Sequence, residues 1–163
     1  MKATLPVAGA AAGDREDWRW QARHAVRTLP QLEALLALTD DERRGIARAA
    51  AQGLPVSVTP YYLGLCDPVD PACPIRRQCI PSASEAVEVP GDLRDPLGEE
   101  DHEVAPELVR RYPDRALLLA TDRCGVYCRF CTRSRMVGDG GGARSLRALE
   151  AAFAYLEAHP EIR

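Results

Sequence analysis

The chain has 163 residues, which is the length of one ordinary domain, or of a small domain with a piece of another. Hydrophobic residues make up 46% and charged residues 28%, a balance that argues against a chain disordered throughout, a collagen and a membrane protein. The net charge is −3, and no apolar stretch approaches the length that spans a bilayer. We therefore expect neither nucleic acid nor a membrane as a partner.

The first predicted elements are a flexible tail over residues 1–13 and helices over residues 14–53. Apolar residues recur at helical spacing from Asp14 to Leu29 and indicate a first helix, which Pro30 should interrupt. A second short apolar stripe follows, formed by the leucines at positions 32, 35 and 36.

A capping box indicates a further helix. In the run from Thr39 to Glu42, the Thr39 hydroxyl can accept one free backbone N–H of the first turn, and the Glu42 carboxylate can accept another. The helix that begins there should bury Ile46 and end at Gly53, since glycine is common just past a helix end.

Residues 54–113 are interpreted as a Pro-rich acidic connector, because most of the 13 prolines lie there. Proline lacks a backbone donor and restricts the residue before it, which excludes long helices and central strands from most of this stretch. From Glu85 to Glu107 there are nine acidic residues and one arginine. Such a charge run predicts a solvated segment.

Regular structure should return over residues 114–163. The unbroken apolar run at residues 116–120 predicts a strand buried on both faces of a parallel sheet. After a loop rich in cysteine and glycine, Ser145 can cap a helix that Pro160 ends. Strand, loop and helix form the first half of a βαβ crossover. A parallel strand needs a neighbour that the sequence up to Arg163 does not supply, so the chain is interpreted as a truncated amino-terminal piece.

Six cysteines form two groups, one at positions 66, 73 and 79 and one at positions 124, 128 and 131. Without a secretory signal, metal or cluster chemistry in a reducing cytoplasm is the stronger interpretation of these thiols. Three thiolates in eight residues can hold a [4Fe–4S] cluster and leave one iron open for a small molecule. A structural zinc site would want four ligands, and inert thiols are the other alternative. The first group has no usual ligand spacing, so we interpret Cys66, Cys73 and Cys79 as packing or surface thiols.

The second group and its surroundings resemble the lysine 2,3-aminomutase family of the radical S-adenosylmethionine superfamily. The resemblance covers nearly the whole chain. It is most specific in the runs Thr59-Pro60-Tyr61-Tyr62-Leu63, Arg76-Arg77-Gln78-Cys79-Ile80-Pro81, Asp95-Pro96-Leu97, Arg111-Tyr112-Pro113-Asp114-Arg115, and residues 121–135. It implies an α/β fold, in which short N-terminal helices and the connector precede the first β/α unit of a partial radical-SAM barrel.

The resemblance also implies three cofactors and one reaction. An open iron of the [4Fe–4S] cluster binds S-adenosyl-L-methionine, whose cleavage gives a radical that takes hydrogen from lysine held on pyridoxal 5'-phosphate. The amino group of L-lysine then moves from carbon 2 to carbon 3. By position, Cys124, Cys128 and Cys131 would ligate the cluster. Phe130 would lie near the adenine of S-adenosylmethionine, with ordinary packing as its alternative role.

Two anion sites follow from the same resemblance. Arg111, Tyr112 and Arg115 match the segment that holds the phosphate of pyridoxal phosphate, whereas without the resemblance these arginines would be taken as solvated charges. Arg133 matches the arginine that binds the substrate carboxylate, a role that suits a planar donor fork. The family usually continues with further arginines, and here Ser134 intervenes.

Several alternatives remain open at the level of sequence. The substrate is free lysine, glutamate or a protein-bound lysine, and a non-catalytic iron–sulfur or zinc-binding module is the alternative from another class. We expect a homo-oligomer in the full-length form. The only lysine is Lys2, in the predicted tail, so this fragment alone should be inactive.

Overall fold

The computed structural model describes residues 16–49, 51, 53–87, 89–137 and 144–163, and the predicted tail lies outside them. Within these ranges no helix has both the length and the apolar character needed to cross a membrane. The chain divides into two compact units. The N-terminal unit is the described part of Met1–Pro90 with Cys124–Cys131, and the C-terminal unit is Gly91–Arg123 with the described part of Thr132–Arg163. The sequence-based boundaries placed Cys124, Cys128 and Cys131 in the segment of residues 114–163. The structure instead groups these three cysteines with the N-terminal helices.

The N-terminal unit contains short helices. These are α1 Trp18–Arg23, α2 Leu29–Glu33, α3 Asp40–Ala49, α4 Pro60–Leu63, α5 Pro74–Cys79 and a 3-10 helix at Ala83–Ala86.

The predicted helix over residues 14–29 is wrong in its second half. Helix α1 ends at Arg23, and Val26 instead exchanges two backbone hydrogen bonds with Val58, at N···O distances of 2.8 and 3.0 Å. Pro30 does not interrupt a helix, because it lies in the first turn of α2. A backbone N–H at that position would have no hydrogen-bond partner within the helix, so proline is tolerated there. Helical spacing alone did not reveal that β-branched Val26 pairs as an extended residue.

The capping box at the start of α3 is confirmed. The Thr39 N–H donates to Glu42 Oε2 at 2.8 Å, and the Glu42 N–H donates to Thr39 Oγ1 at 3.2 Å. Helix α3 ends at Ala49, four positions before the predicted end at Gly53. Gly53 itself has a φ of +85°, a left-handed conformation that favours glycine.

The Pro-rich segment, residues 54–113, contains only short helices, as its prolines predicted. It is nevertheless more than a linker. Val56, Val58, Leu63 and Ile80 are buried in the core of the N-terminal unit, against the apolar residues of α2 and α3. The fully buried Arg76 lies beside this core and binds Glu42 through two hydrogen bonds of 2.8 and 2.7 Å. The segment therefore supplies part of the core and its buried ion pair.

The C-terminal unit contains an antiparallel sheet in the order β1–β2–β3. Its strands are β1 Glu103–Ala105, β2 Leu108–Val109 and β3 Leu117–Leu118. Leu108 pairs with Leu118, and Val109 pairs with Leu117. The predicted strand is thus present but short, and the prediction of burial on both faces is wrong, because Leu117 is exposed and Leu118 is half-buried. The partial parallel barrel stays a prediction.

Helix α6, Leu146–Glu157, begins as predicted, with the Ser145 side chain accepting the Ala148 N–H at 3.1 Å. Ala152 is its buried residue, whereas the large apolar side chains of Leu146 and Phe153 are exposed. 3-10 helices at Glu100–His102 and Ser134–Met136 complete the described elements of this unit.

Candidate functional site

The cysteine loop, Cys124–Cys131, is fixed to the N-terminal unit through its backbone. The Thr59 N–H donates to the Gly125 carbonyl at 3.0 Å, and the Tyr127 N–H donates to the Ser57 carbonyl at 2.8 Å. Val126 forms an antiparallel bridge with Val58. The extended segment before α4 therefore serves as the template that holds the loop.

Arg129 adds a side-chain anchor to this loop. Its Nε and Nη2 lie 2.9 and 2.8 Å from Glu85 Oε2, and its Nη1 donates to the Leu54 carbonyl at 2.9 Å. Its own backbone N–H donates to the Gln78 carbonyl at 2.9 Å. Nothing in the sequence distinguishes Arg129, since an arginine between two cysteines is ordinarily a solvated charge.

The three thiols of the loop differ in exposure: Cys124 is exposed, and Cys128 and Cys131 are half-buried. Burial and the neighbouring Cys131 raise the pKa of Cys128. In the described residues no three Cys, His, Asp or Glu side chains converge closely enough to hold a metal ion. The donor set nevertheless fits a thiolate-ligated cluster by its chemistry, because three thiols share one anchored loop and none is in a disulfide. A bound metal would deprotonate them.

Phe130 precedes the last of these cysteines and is 67% exposed. It is therefore not a core residue of the N-terminal unit. An exposed ring can stack on a planar ligand such as a nucleobase.

The C-terminal unit holds a cavity of about 390 Å³, within the range of small-molecule sites. It brings together all four residues that were predicted to bind the two anions. We call this site the cationic cavity. It is lined by Leu97, Glu99, Val109, Arg111, Tyr112, Arg115, Ala116, Leu117 and Arg133.

The charge of the cationic cavity favours an anionic ligand, since three arginines and one glutamate line it. Local contacts orient these arginines. Arg111 Nη1 donates to the Leu97 carbonyl at 3.0 Å, and the Arg115 guanidinium lies 4.8 Å from the centre of the Tyr112 ring. Arg115 also pairs with the exposed Asp114, at 3.2 Å between Nε and Oδ1.

Arg133 is held by Glu99, whose side chain is buried. Arg133 Nε donates to Glu99 Oε1 and Oε2 at 3.0 and 3.1 Å, and its Nη2 donates to Oε1 at 2.7 Å. Arg135 Nη2 lies 3.5 Å from Glu99 Oε2 and 3.2 Å from Asp95 Oδ1, and Arg135 Nε pairs with Glu100 at 2.9 Å. The expectation of a solvated acidic run is therefore wrong at Glu99, which is only 7% exposed.

Glu99 also lines a second cavity of about 300 Å³ in the same unit, together with Arg94, Arg135 and Arg144. It thus lies in the wall between two arginine-lined cavities. The sequence did not indicate this role, because Glu99 belongs to an acidic run that was expected to be solvated. The only signal was that Glu99 lies two residues after Asp95-Pro96-Leu97, one of the runs that carry the family resemblance.

No protein-family model matches the chain. Comparison with known proteins, however, finds relatives that are named 2,3-aminomutases. The chain is 45% identical to L-lysine 2,3-aminomutase of Bacillus subtilis, over 90% of its own length and 31% of that protein. It is 42% identical to L-lysine 2,3-aminomutase of Clostridium subterminale, over 92% of its length and 36% of the relative. It is 34% identical to glutamate 2,3-aminomutase of Clostridioides difficile, over 93% of its length and 36% of the relative.

The chain spans about a third of the length of these curated relatives. Nearly all of its residues take part in each match, and the matched region includes both the cysteine loop and the residues of the cationic cavity. This chain therefore belongs to the lysine 2,3-aminomutase family.

Proposed function

We propose that the chain supplies the cluster-binding loop and the anion-binding cavity of a radical S-adenosylmethionine enzyme that moves the amino group of L-lysine from carbon 2 to carbon 3. One observation carries the proposal. Arg111, Tyr112, Arg115 and Arg133, which the family resemblance assigns to one phosphate and one carboxylate, line a single cavity. Arg111, Tyr112 and Arg115 are neighbours in the sequence, whereas Arg133 lies 18 positions after Arg115, and it is the arrival of Arg133 in the same cavity that supports a shared function.

When bound, the [4Fe–4S] cluster and S-adenosyl-L-methionine would supply radical chemistry, and pyridoxal 5'-phosphate would carry the amino acid. Cys124, Cys128 and Cys131 would hold the cluster, and the exposed ring of Phe130 would stack against adenine. The hydrogen bonds from Arg129 would keep the loop in place while the thiolates take up metal.

In the cationic cavity, Arg111 and Arg115 would hold the cofactor phosphate, since a guanidinium fork donates two hydrogen bonds to one anion. Tyr112 would contribute its hydroxyl to the same phosphate. Arg133 would bind the substrate carboxylate. The bidentate contact with Glu99 fixes the plane of the Arg133 guanidinium before any ligand arrives, which reduces the ordering cost of binding.

The test is anaerobic reconstitution of the protein with iron and sulfide. We expect an oxygen-sensitive cluster whose electron paramagnetic resonance signal changes on addition of S-adenosylmethionine. In a longer protein that contains this chain, and not in the chain alone, we expect conversion of lysine to β-lysine once pyridoxal phosphate is present. Alanine at position 124, 128 or 131 should abolish the cluster, whereas Cys73→Ala should not. Stoichiometric zinc without iron uptake would instead support a zinc-binding module and overturn the proposal.

Glutamate is the second candidate substrate, because a glutamate 2,3-aminomutase is 34% identical over 93% of the chain. Lysine and glutamate share the α-carboxylate that Arg133 would bind, so the cavity described here does not separate them. Parallel assays with both amino acids and with a lysine-containing peptide decide among the three substrates.

Arg133→Lys in the active protein should weaken substrate binding although it conserves the charge. Lysine lacks the two-pronged donor geometry, and we expect a loss of about 1–3 kcal/mol, the scale of a hydrogen bond to a charged group. Titration of the amino acid measures it. Unchanged affinity would exclude Arg133 as the carboxylate partner.

We extend the proposal to a homo-oligomer in a reducing cytoplasm, with a small amino acid as the substrate. The support for the reducing cytoplasm is chemical: thiolate-held iron–sulfur centres need reduced cysteines, and all six cysteines are thiols here.

A further inference from the structure

The cysteines outside the cysteine loop lie together in the N-terminal unit. Cys66 and Cys79 are 13 positions apart, yet their sulfur atoms are 3.8 Å apart, and both side chains are buried. Sulfur atoms in a disulfide are about 2.05 Å apart. The two sulfur atoms would therefore have to approach each other by about 1.8 Å to bond.

Cys73 lies beside this pair. Its sulfur accepts the Asp67 N–H at 3.3 Å, and that nitrogen is bonded to the carbonyl carbon of Cys66. Cys73 also directly precedes α5, whose last residue is Cys79. Cys66 and Cys79 are buried and Cys73 is half-buried, which agrees with their interpretation as packing or surface thiols, but the contact between Cys66 and Cys79 was not predicted.

The three thiols differ in reactivity. Backbone N–H groups of Arg76 and Asp67 lower the pKa of the half-buried Cys73. The hydrogen bond with Cys66, together with burial, raises the pKa of Cys79. The accessible sulfur is therefore the better nucleophile and the better leaving group, whereas the buried pair is unreactive towards bulk reagents.

We propose that Cys66 and Cys79 form a reversible disulfide, made by exchange with a low-molecular-weight disulfide that reacts first with Cys73. This assigns a redox modification site to a part of the chain that the proposed function does not use.

Each step of the exchange balances. The Cys73 thiolate attacks one sulfur of the small disulfide and releases one small thiol, leaving a mixed disulfide on Cys73. Cys66 attacks the Cys73 sulfur and releases the second small thiol. Cys79 then attacks the Cys66 sulfur, and its proton passes to the departing Cys73. Two protein thiols are oxidised and one small disulfide is reduced to two thiols.

The bond would form directly behind the cysteine loop. Gln78, next to Cys79, accepts the Arg129 N–H through its carbonyl and the Tyr62 hydroxyl through its Oε1, at 2.9 and 2.8 Å. The Cys66 thiol lies 3.8 Å from the Tyr62 carbonyl. Closing the two sulfurs would shift Tyr62 and Gln78, and with them the support of Arg129. Oxidation would therefore alter the support of the loop without consuming its thiols.

The test is oxidation of the full chain by oxidised glutathione under nitrogen, followed by alkylation in denaturant and peptide mapping. Trypsin cleaves after Arg76 and Arg77 and so separates Cys79 from the other two cysteines. A protease specific for aspartate cleaves before Asp67 and separates Cys66 from Cys73. We expect a Cys66–Cys79 cross-link that a dithiol reverses, with Cys73 recovered as an alkylated thiol.

A kinetic control separates the role of Cys73 from that of the pair. Cys73→Ser should give the same cross-link about tenfold more slowly, because the buried thiols must then meet the reagent themselves. An unchanged rate would remove Cys73 from the path. Full alkylation of Cys66 and Cys79 after oxidation of the unmodified chain, or a stable Cys66–Cys73 cross-link instead, would overturn the proposal.

Discussion

The two units of this chain are stabilised in different ways. The N-terminal unit has an apolar core contributed by α2, α3 and the Pro-rich segment, with one buried ion pair, Arg76–Glu42, beside it. Among the described residues of the C-terminal unit, the buried apolar side chains are only Leu108, Val109, Val137 and Ala152.

Ion pairs take the place of that core in the C-terminal unit. Arginines 133 and 135 bind the acidic residues at positions 95, 99 and 100, and Arg110 joins Glu161 and the Tyr155 hydroxyl of α6. The difference matches the chemistry of each unit. A packed core gives the cysteine loop a rigid backbone template, whereas anion binding needs several guanidinium groups kept close together against their mutual repulsion, and carboxylates do this.

The largest expected effect is that of Arg76→Ala in the N-terminal unit. Arg76 is fully buried and donates to both oxygens of Glu42 and to the carbonyls of Ala37 and Pro68. Removing it leaves a buried carboxylate without its cation, which should cost about 3–5 kcal/mol of unfolding free energy. Urea unfolding followed by the fluorescence of the buried Trp20 measures the loss.

The neighbouring arginine is the matched control. Arg77 lies on the same short helix but is exposed, so Arg77→Ala should change the unfolding free energy by less than about 0.5 kcal/mol. Equal effects of the two substitutions would mean that the Arg76–Glu42 pair does not stabilise this unit.

In the C-terminal unit, Glu99→Gln should destabilise less, by about 1.5–3 kcal/mol, the scale of hydrogen bonds to charged groups. Glu99 is shared by Arg133 and Arg135, and an amide cannot accept from both as a carboxylate does. Hydrogen exchange of the Leu108 and Val109 amides in β2 reports the change in this unit.

Glu100→Gln is the control for this prediction, because Glu100 also pairs with Arg135 but has a side chain that is 67% exposed. Its effect should be small and should vanish at high salt, since exposed pairs are screened. A Glu99→Gln protein with unchanged amide protection would show that the cationic cavity is stabilised by something other than this carboxylate.

The sequence predicted local features of both units well and contacts between distant positions poorly. The capping box, the α6 cap and the cysteine spacing were predictable because each depends on residues within eight positions of one another. Val26 pairs with Val58, and Arg76 with Glu42, over more than thirty positions, so local periodicity cannot reveal them. Glu99 was hidden for another reason: a run of like charges is usually solvated, and only tertiary structure shows which member has been buried with arginines.

The candidate site was predictable chiefly through the family resemblance. Composition alone gives no reason to group Arg111 and Arg115 with Arg133, about twenty positions later, yet the three line one cavity. The anchor Arg129 and the positioning contact of Glu99 were missed, because neither residue type nor spacing distinguishes them from surface charges.

A smaller effect is expected from Gly45→Ala, which tests how closely α3 packs in the N-terminal unit. A Cβ at position 45 would clash with the Pro81 carbonyl oxygen and would lie 2.6 Å from the Ser82 carbonyl carbon, both backbone atoms. Helix propensity favours alanine by about 1 kcal/mol, whereas overpacking costs about 1–3 kcal/mol. We expect a net loss by urea unfolding. Gly125→Ala, whose Cβ would meet only Thr59 Cγ2 at 3.9 Å, should be nearly neutral. A stabilised Gly45→Ala protein would mean that α3 moves away from this backbone at little cost.

The smallest effect is the pH dependence that Glu42 gives to the N-terminal unit. Burial raises the pKa of Glu42, but hydrogen bonds from Arg76 and Thr39 outweigh it, so the pKa in the folded state lies below the ordinary value. The unfolded chain then binds the proton at higher pH than the folded chain does. The stabilisation is therefore complete above the ordinary glutamate pKa of about 4.3 and is lost as the pH falls through the lower folded-state value.

One carboxyl group contributes at most about 1.4 kcal/mol per pH unit to the slope of unfolding free energy against pH. The pKa values of Asp95 and Glu161 are also lowered, so the C-terminal unit loses stability in the same direction, and the wild-type slope alone cannot be assigned to Glu42. The difference between wild type and Glu42→Gln removes their contribution, because both proteins retain them. Followed by Trp20 fluorescence, the wild type should lose more stability than Glu42→Gln as the pH falls below about 4.3. Parallel slopes for the two proteins would show that Glu42 titrates alike in the folded and unfolded states, and the buried ion pair would then have no part in acid unfolding of this unit.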